Sequence, residues 1–127
     1  MNDMYREIIL DHYKNPRNFG KIKEANAKAQ KKNPLCGDEM AMDFKLDKSG
    51  KIKDVKFHGA GCSVSRAGGS ILTEAIKGMT KAQFMKYSDE DFLKDMAAPI
   101  TPARKKCALL ALQTARQALG VDKPKKK

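Results

Sequence analysis

The stretch Met40-Ala-Met-Asp-Phe-Lys-Leu-Asp-Lys-Ser-Gly-Lys-Ile-Lys-Asp-Val-Lys-Phe-His58 decides the fold of this chain. From Met40 to Leu46 it places large apolar side chains at every second position, which is typical of a β-strand with one buried face. Asp47-Lys-Ser-Gly50 predicts a turn, and Lys51–His58 predicts the returning antiparallel strand. The apolar residues of this second strand depart from strict alternation, so we expect a β-bulge near Lys53-Asp54.

A helix and an edge strand are predicted before this hairpin. Met4–Lys14 carries apolar side chains at spacings of three and four, and Pro16 marks the end of the helix. Three alanines at alternate positions, Ala25, Ala27 and Ala29, indicate a weaker strand at the edge of the sheet. The sheet is therefore expected to be small, antiparallel and three-stranded.

Helices are predicted for the rest of the chain. One has an apolar stripe from Val64 to Ala75, with Ser63 or Ser65 as its N-terminal cap and Gly78 at its end. Further helix starts are marked by capping residues, which lie at Thr80 with Gln83, at Ser88 with Asp91 and at Thr101 with Pro102. The last of these helices ends at Gly120.

This order of elements predicts an α+β fold, in which an N-terminal helix and several C-terminal helices pack on a small three-stranded antiparallel sheet. A chain of 127 residues is expected to form one domain. We assign residues 1–120 to that domain. Residues 121–127, in which Lys123–Lys127 holds four lysines, are predicted to form a disordered Lys-rich tail.

The composition restricts where the chain works and what it contacts. No apolar run approaches the roughly 18 residues of a membrane span, and the N-terminus lacks a secretory pattern, so we expect a cytoplasmic protein. The net charge of +11 fits a solvated basic surface or docking to an acidic partner. Nucleic acid is the less favoured partner, because no aromatic residues interleave with basic ones as a stacking platform requires.

Three cysteines and one aspartate carry the predicted chemistry. Cys36 and Asp38 flank Gly37 in a turn, where glycine permits backbone angles that let both side chains face one point. Cys62 follows Gly59-Ala-Gly61 at a predicted helix N-terminus, where unpaired N–H groups favour a thiolate. In a reducing compartment such cysteines bind metal or sulfur more often than they form disulfides.

Cys107 lies on the apolar face of the last predicted helix, where cysteine often serves as a small buried hydrophobe. Against that simpler role stand Arg104, one turn earlier, and the adjacent Lys106, which are candidates for stabilising its thiolate. The predicted site for one metal ion or small cluster has four ligands: Cys36, Asp38, Cys62 and Cys107.

The two histidines are expected to differ in role. His12 lies on the apolar face of the first helix and is predicted to be a packing residue with a satisfied ring. His58 precedes Cys62 by four positions and could reach the cysteines, although we do not count it among the predicted ligands.

Four motifs resemble the family of iron–sulfur assembly scaffolds that comprises IscU, SufU and the N-terminal domain of NifU. They are, in chain order, Tyr5–Gly20, Asn33-Pro-Leu-Cys-Gly-Asp38, Phe57-His-Gly-Ala-Gly-Cys-Ser63 and Arg104-Lys-Lys-Cys-Ala-Leu-Leu-Ala111. The resemblance covers nearly the whole chain up to about Gly120, and it implies an IscU-like fold.

The resemblance also implies a function. The cysteines would accept sulfur from a cysteine desulfurase, with Cys36 or Cys107 as the first acceptor, and would ligate a transient [2Fe–2S] cluster. Asp38 is implied as the ligand that keeps the site labile enough to release its cargo. The other implied partners are an iron or electron donor and apo iron–sulfur acceptor proteins. Zinc is an alternative occupant of the same four positions.

Two types of family member stay open as interpretations. The IscU type carries a histidine directly before the third cysteine, where this chain has Lys106, and its chaperone motif Leu-Pro-Pro-Val-Lys is absent from residues 98–104. The SufU type is closer around Cys107, but its members have an insertion between the second and third cysteines that this chain lacks. A zinc-dependent sulfurtransferase in the manner of SufU is therefore the alternative function.

Overall fold

The computed structural model describes residues 3–33, 37–96 and 102–121, and it has the predicted α+β architecture. Its elements are α1 (Asp3–Lys14), β1 (Ala27–Asn33), β2 (Asp38–Leu46), β3 (Ile52–His58), α2 (Ser63–Ile76), α3 (Lys81–Met85), α4 (Asp89–Asp95) and α5 (Pro102–Ala118). The strands form one antiparallel sheet in the order β1-β2-β3. Of the predicted Lys-rich tail, residues 122–127 lie outside the described part of the chain.

The hairpin of β2 and β3 is antiparallel and has the predicted bulge. Lys45 pairs with Asp54, but the next residue, Leu46, pairs with Ile52, so Lys53 is the extra residue on β3. The insertion explains why the apolar side chains of β3 do not alternate strictly and yet reach the same face of the sheet. The edge strand begins and ends later than the three alanines indicated, at Ala27 and Asn33.

The inner face of the sheet and helices α2 and α5 enclose the core. Its largest side chains with essentially no exposed surface are Phe44, Phe57, Phe84, Phe92, Met42, Ile52, Leu72, Ile76, Met96, Leu110, Leu112 and Val55. Burial of about a dozen such side chains is the main stabilising term of a domain of this size. None of the described helices is long and apolar enough to cross a membrane.

The helix starts are partly as predicted. The capping boxes of Thr80 with Gln83 and of Ser88 with Asp91 are both formed. Pro102 is the first residue of α5, whereas Thr101 lies outside the described residues. The predicted cap of α2 is wrong, because Cys62 occupies the N-cap position and makes no side-chain cap hydrogen bond.

The segment between α1 and β1, residues 15–26, runs beside β3 and then crosses the outer face of the sheet. The backbone N–H of Phe57 donates to the Asn18 carbonyl at 2.9 Å, and the N–H of Gly20 donates to the Phe57 carbonyl at 2.8 Å. Further along, the Ile22 N–H donates to Oδ2 of Asp43 at 3.0 Å. These bonds occupy the free edge of β3 and hold the segment, called the crossing segment below, against the sheet.

Helix α1 is joined to α2 by His12, which is half-buried and hydrogen-bonded as predicted for a packing residue. Its Nδ1 lies 2.7 Å from the hydroxyl of Ser70, which also accepts the backbone N–H of Arg17 at 2.9 Å. A neutral ring can accept the Ser70 proton at Nδ1, whereas a protonated ring cannot. One buried hydroxyl thereby ties α1 and the start of the crossing segment to the middle of α2.

This contact predicts a pH dependence of stability. Burial lowers the pKa of His12 below 6.5, and the charge of Arg17 lowers it further, while Glu74 and Asp11 oppose the shift. Because the unfolded chain then binds this proton more readily, stability should fall as pH is lowered through 6.5. Urea unfolding between about pH 7.5 and pH 5.5 should show this loss, and His12→Gln should reduce the slope. An unchanged slope in the variant would show that His12 does not contribute.

Candidate metal centre

Three of the four predicted ligands meet at one end of the sheet. Asp38 is the first residue of β2, Cys62 stands at the N-terminus of α2, and Cys107 lies on the second turn of α5. One carboxylate oxygen and the two Sγ atoms all lie within 4.8 Å of one another. The fourth predicted ligand, Cys36, lies outside the described residues. The predicted convergence of distant chain segments is therefore present for the three ligands that can be located.

The Asp38 carboxylate holds in place the loop of residues 59–62, which leads into Cys62. Its Oδ1 accepts the backbone N–H of Cys62 at 2.9 Å, and its Oδ2 lies 3.7 Å from the Cys62 Sγ. Next to it, the Glu39 N–H donates to the Ala60 carbonyl at 2.8 Å. The carboxylate thus accepts the N–H of the N-cap residue, which in a capping box goes to the side chain of the third helical residue, and one of its oxygens faces the thiol.

Glycine is required on both sides of Ala60. A Cβ at Gly61 would lie 2.3 Å from the Ser65 hydroxyl and 3.0 Å from Oδ1 of Asp38. Gly59 has φ +134°, and a Cβ there would lie 2.4 Å from the Glu39 carbonyl oxygen. The Gly-Ala-Gly sequence therefore allows the loop to approach β2 closely enough for Cys62 to reach Asp38.

The site is closed on one side and open on the other. Asp38 and Cys107 are each 2% exposed, whereas Cys62 is half-buried. Gly37, which follows the segment that contains Cys36, is exposed and has φ +71°, the left-handed conformation that the Cys-Gly-Asp motif was expected to use. Access to the site is therefore from the side of Cys62 and Gly37.

Among the described residues, the two predicted basic neighbours of Cys107 make no hydrogen bond to the sulfur of Cys62 or Cys107. Arg104 and Lys106 are both exposed on the first turns of α5. Within the described ranges, neither side chain forms a hydrogen bond or an ion pair. Their role in stabilising a thiolate stays a prediction. His58 donates its Nδ1–H to the Gly20 carbonyl at 3.1 Å and is not part of the three-residue group.

Arg66 is a residue next to the site whose role the sequence did not reveal. Its guanidinium carbon lies 4.6 Å from the centre of the Phe19 ring and 5.6 Å from that of Tyr13. Its Nε donates to the Tyr13 carbonyl at 3.0 Å, and its backbone N–H donates to the Cys62 carbonyl. Arg66 therefore links the end of α1 to the first turn of α2.

The donor set fits a thiophilic metal. Two thiols and a carboxylate suit zinc and iron–sulfur centres, whereas calcium and magnesium prefer oxygen ligands alone. Tetrahedral Zn–S bonds of 2.3 Å place two sulfur ligands about 3.8 Å apart. The three candidate ligand atoms already lie within 4.8 Å of one another, which is close to this spacing.

Asp38→Asn should weaken zinc binding by at least about tenfold, because the amide keeps an oxygen for the Cys62 N–H but loses the negative charge that favours the metal. Asp43→Asn is the matched control, since Asp43 is also a buried carboxylate on β2 that accepts one backbone N–H. Competition with a chromophoric chelator measures both affinities. Equal zinc affinities for the two variants would remove Asp38 from the ligand set.

The fold and the site together define a small α+β protein that brings two cysteines and an aspartate from three chain segments together at the end of a three-stranded sheet. The NifU-like N terminal domain matches residues 4–127. The chain belongs to this family.

Individual relatives agree with this assignment. The chain is 39% identical to the zinc-dependent sulfurtransferase SufU of Bacillus subtilis, over 87% of this chain and 86% of that protein. It is 34% identical to the iron–sulfur cluster assembly enzyme IscU of Drosophila melanogaster, over 96% of this chain and 80% of the relative. A crystal structure of a SUF-system scaffold protein from Fervidobacterium islandicum superposes with a TM-score of 0.78 at 32% identity, covering 94% of this chain and 99% of that one.

Proposed function

We propose that this chain is an iron–sulfur cluster assembly scaffold. It accepts sulfur from a cysteine desulfurase, holds a transient [2Fe–2S] cluster as cargo and passes it to apo acceptor proteins. The observation that carries the proposal is the convergence of Asp38, Cys62 and Cys107 within 4.8 Å at an accessible end of the sheet. The chemistry needs reduced thiols, which a reducing compartment such as the cytoplasm supplies.

The ligands are Cys36, Asp38, Cys62 and Cys107. The three soft thiolates are strong ligands for the iron atoms of the cluster, whereas the carboxylate oxygen of Asp38 is a weaker one. One weak ligand among strong ones makes release easier, which is what a carrier of a transient cluster requires. An iron or electron donor is needed as a further partner. Iron is a component of the cluster, and electrons are needed because persulfide sulfur must be reduced to sulfide.

Sulfur arrives by attack of a scaffold thiolate on the outer sulfur of the desulfurase persulfide. A new S–S bond forms on the scaffold, and the desulfurase cysteine leaves as a thiolate. Cys36 and Cys107 are the proposed acceptors. Since Cys107 is only 2% exposed here, transfer to it requires a movement that opens the site.

A second candidate function is a zinc-dependent sulfurtransferase, as the Bacillus subtilis relative is named. The same four residues would hold zinc, which would keep the three cysteine thiols deprotonated. Lys106 favours the sulfurtransferase over the IscU-type scaffold. It stands where the IscU type has a histidine, and an ammonium group cannot act as a metal ligand. The positive charges of Arg104 and Lys106 would then stabilise the thiolate that receives the sulfur and would attract acidic partner surfaces.

One experiment separates the two functions. The protein is purified without air, its zinc and iron are measured, and a desulfurase, cysteine, ferrous iron and a reductant are added. Visible absorption of a cluster that then moves to an apo-ferredoxin supports the scaffold. Persistent zinc with faster desulfurase turnover, and no cluster, supports the sulfurtransferase and contradicts the scaffold.

A further inference from the structure

A groove of about 350 Å³ lies on the outer face of the sheet, away from the core. It is lined by Lys21, Lys28, Ala29, Gln30, Ala41, Asp43 and His58. Neither the proposed metal site nor the proposed sulfur chemistry uses these residues. A volume of this size is at the lower end of the range for small-molecule sites.

The strand register explains the shape of the groove. Gln30, Ala41 and His58 are directly paired across β1, β2 and β3, so their side chains share the outer face. The central member of this row has only a methyl group, which leaves a depression between two longer polar side chains. In the next row Lys28 pairs with Asp43, and Lys21 of the crossing segment completes the rim.

The groove is a cationic surface with polar donors. Among the residues that the structure describes, neither Lys21 nor Lys28 forms an ion pair or a hydrogen bond. Asp43 is 6% exposed, and its Oδ2 already accepts the Ile22 N–H. Gln30 uses one amide N–H on Glu39 at 3.4 Å and keeps a second. The lining of the groove therefore has two exposed ammonium groups and one covered carboxylate, with the Glu39 carboxylate beside Gln30.

His58 adds a defined hydrogen-bonding group. A carbonyl oxygen only accepts, so the contact with Gly20 at 3.1 Å places a proton on Nδ1. The other ring nitrogen, Nε2, takes no part in this bond and forms no other among the described residues. An anion in the groove would thus meet a ring whose orientation the crossing segment already fixes.

We propose that this groove binds a small polycarboxylate, with Lys21 and Lys28 each holding one carboxylate and Gln30 and His58 orienting the molecule. Phosphate fits less well, because the described lining of the groove contains no helix N-terminus that could supply converging backbone N–H groups. Two lysine ammonium groups from different segments, the crossing segment and β1, instead match two carboxylates of one molecule.

The test uses the full chain and tricarballylate, a tricarboxylate that lacks the hydroxyl group with which citrate chelates metals. Calorimetry at constant ionic strength should show saturable one-to-one binding. Lys28→Gln and Lys21→Gln should each weaken it about fivefold, the upper end for a solvent-exposed ion pair. Lys53→Gln removes the same charge from an exposed lysine outside the groove and should leave the affinity unchanged.

The two histidines provide an internal readout by NMR. The ring signals of His58 should shift with tricarballylate, whereas those of His12, which lies between α1 and α2, should not. Equal effects of Lys53→Gln and Lys28→Gln would overturn the proposal in favour of a general basic surface. Binding of phosphate or of an acidic peptide in preference to tricarballylate would overturn the ligand class. Neither result depends on metal or cluster binding, so the proposed function is tested separately.

Discussion

Cys107→Ser is expected to lower the zinc affinity at least about 100-fold, more than the loss of a supporting residue around a metal ligand. Cys107 is buried, and its sulfur lies within 4.8 Å of the ligand atoms of Asp38 and Cys62. A serine hydroxyl at the same place is a poor ligand for zinc, because it stays protonated near neutral pH. If Cys107 were only a small buried hydrophobe, the same change would leave zinc binding intact.

The effect is also visible in stability. Zinc at 100 times its dissociation constant stabilises the wild-type fold by about 2.7 kcal/mol, and a variant with 100-fold weaker binding gains only about 0.4 kcal/mol. Thermal unfolding with and without zinc should therefore show a large zinc-induced shift that Cys107→Ser nearly abolishes. Measurements in a chelator give the cost of the substitution to the metal-free fold.

Ala111→Ser is the matched control for Cys107→Ser. It places the same hydroxyl at another buried position of α5, one turn further on, where no ligand is predicted. This variant should lose some stability in chelator, and its zinc-induced shift should equal that of the wild type. A wild-type zinc affinity in Cys107→Ser would return Cys107 to a packing role and would leave two located ligands, too few for the proposed site.

The sequence predicted the features that depend on local periodicity and chemistry. Alternation from Met40 to Leu46 is enough to define a half-buried strand, and the broken alternation of the next strand is enough to indicate the bulge at Lys53. The capping boxes that start with Thr80 and Ser88 are likewise local, since donor and acceptor are three residues apart.

The features that sequence reasoning missed depend on contacts between distant segments. The cap of α2 was assigned to Ser63 or Ser65, but the Cys62 N–H is bonded by Asp38, 24 positions earlier in the chain. The role of Arg66 could not be predicted, because nothing local shows that Phe19 and α1 would surround it. The groove at His58 depends on strand register in the same way, since only the pairing shows which side chains are neighbours.

Gly69→Ala is expected to destabilise the fold by about 2–3 kcal/mol, although alanine is the better helix former by about 1 kcal/mol. A Cβ at Gly69 would lie 2.6 Å from Cδ2 and 2.7 Å from Cε2 of Phe57. Phe57 is 2% exposed and packs edge-to-face on Phe19, with ring centres 5.2 Å apart. Its ring therefore has no free space to enter, and α2 must move away from β3.

Gly68→Ala separates this clash from the general effect of adding a methyl group to α2. Its Cβ would meet nothing closer than the Ala108 carbonyl oxygen at 3.3 Å, so a shift of a few tenths of an ångström relieves it. Urea unfolding should place Gly69→Ala well below both the wild type and Gly68→Ala in stability. Phe57→Leu should lower the stability of the wild type but should cost much less in the Gly69→Ala background, because leucine removes the ring atoms that clash. Since β3 leads directly into the loop of Cys62, Gly69→Ala should also weaken zinc binding. Additive effects of Gly69→Ala and Phe57→Leu on stability would show that Gly69 and Phe57 are not in contact.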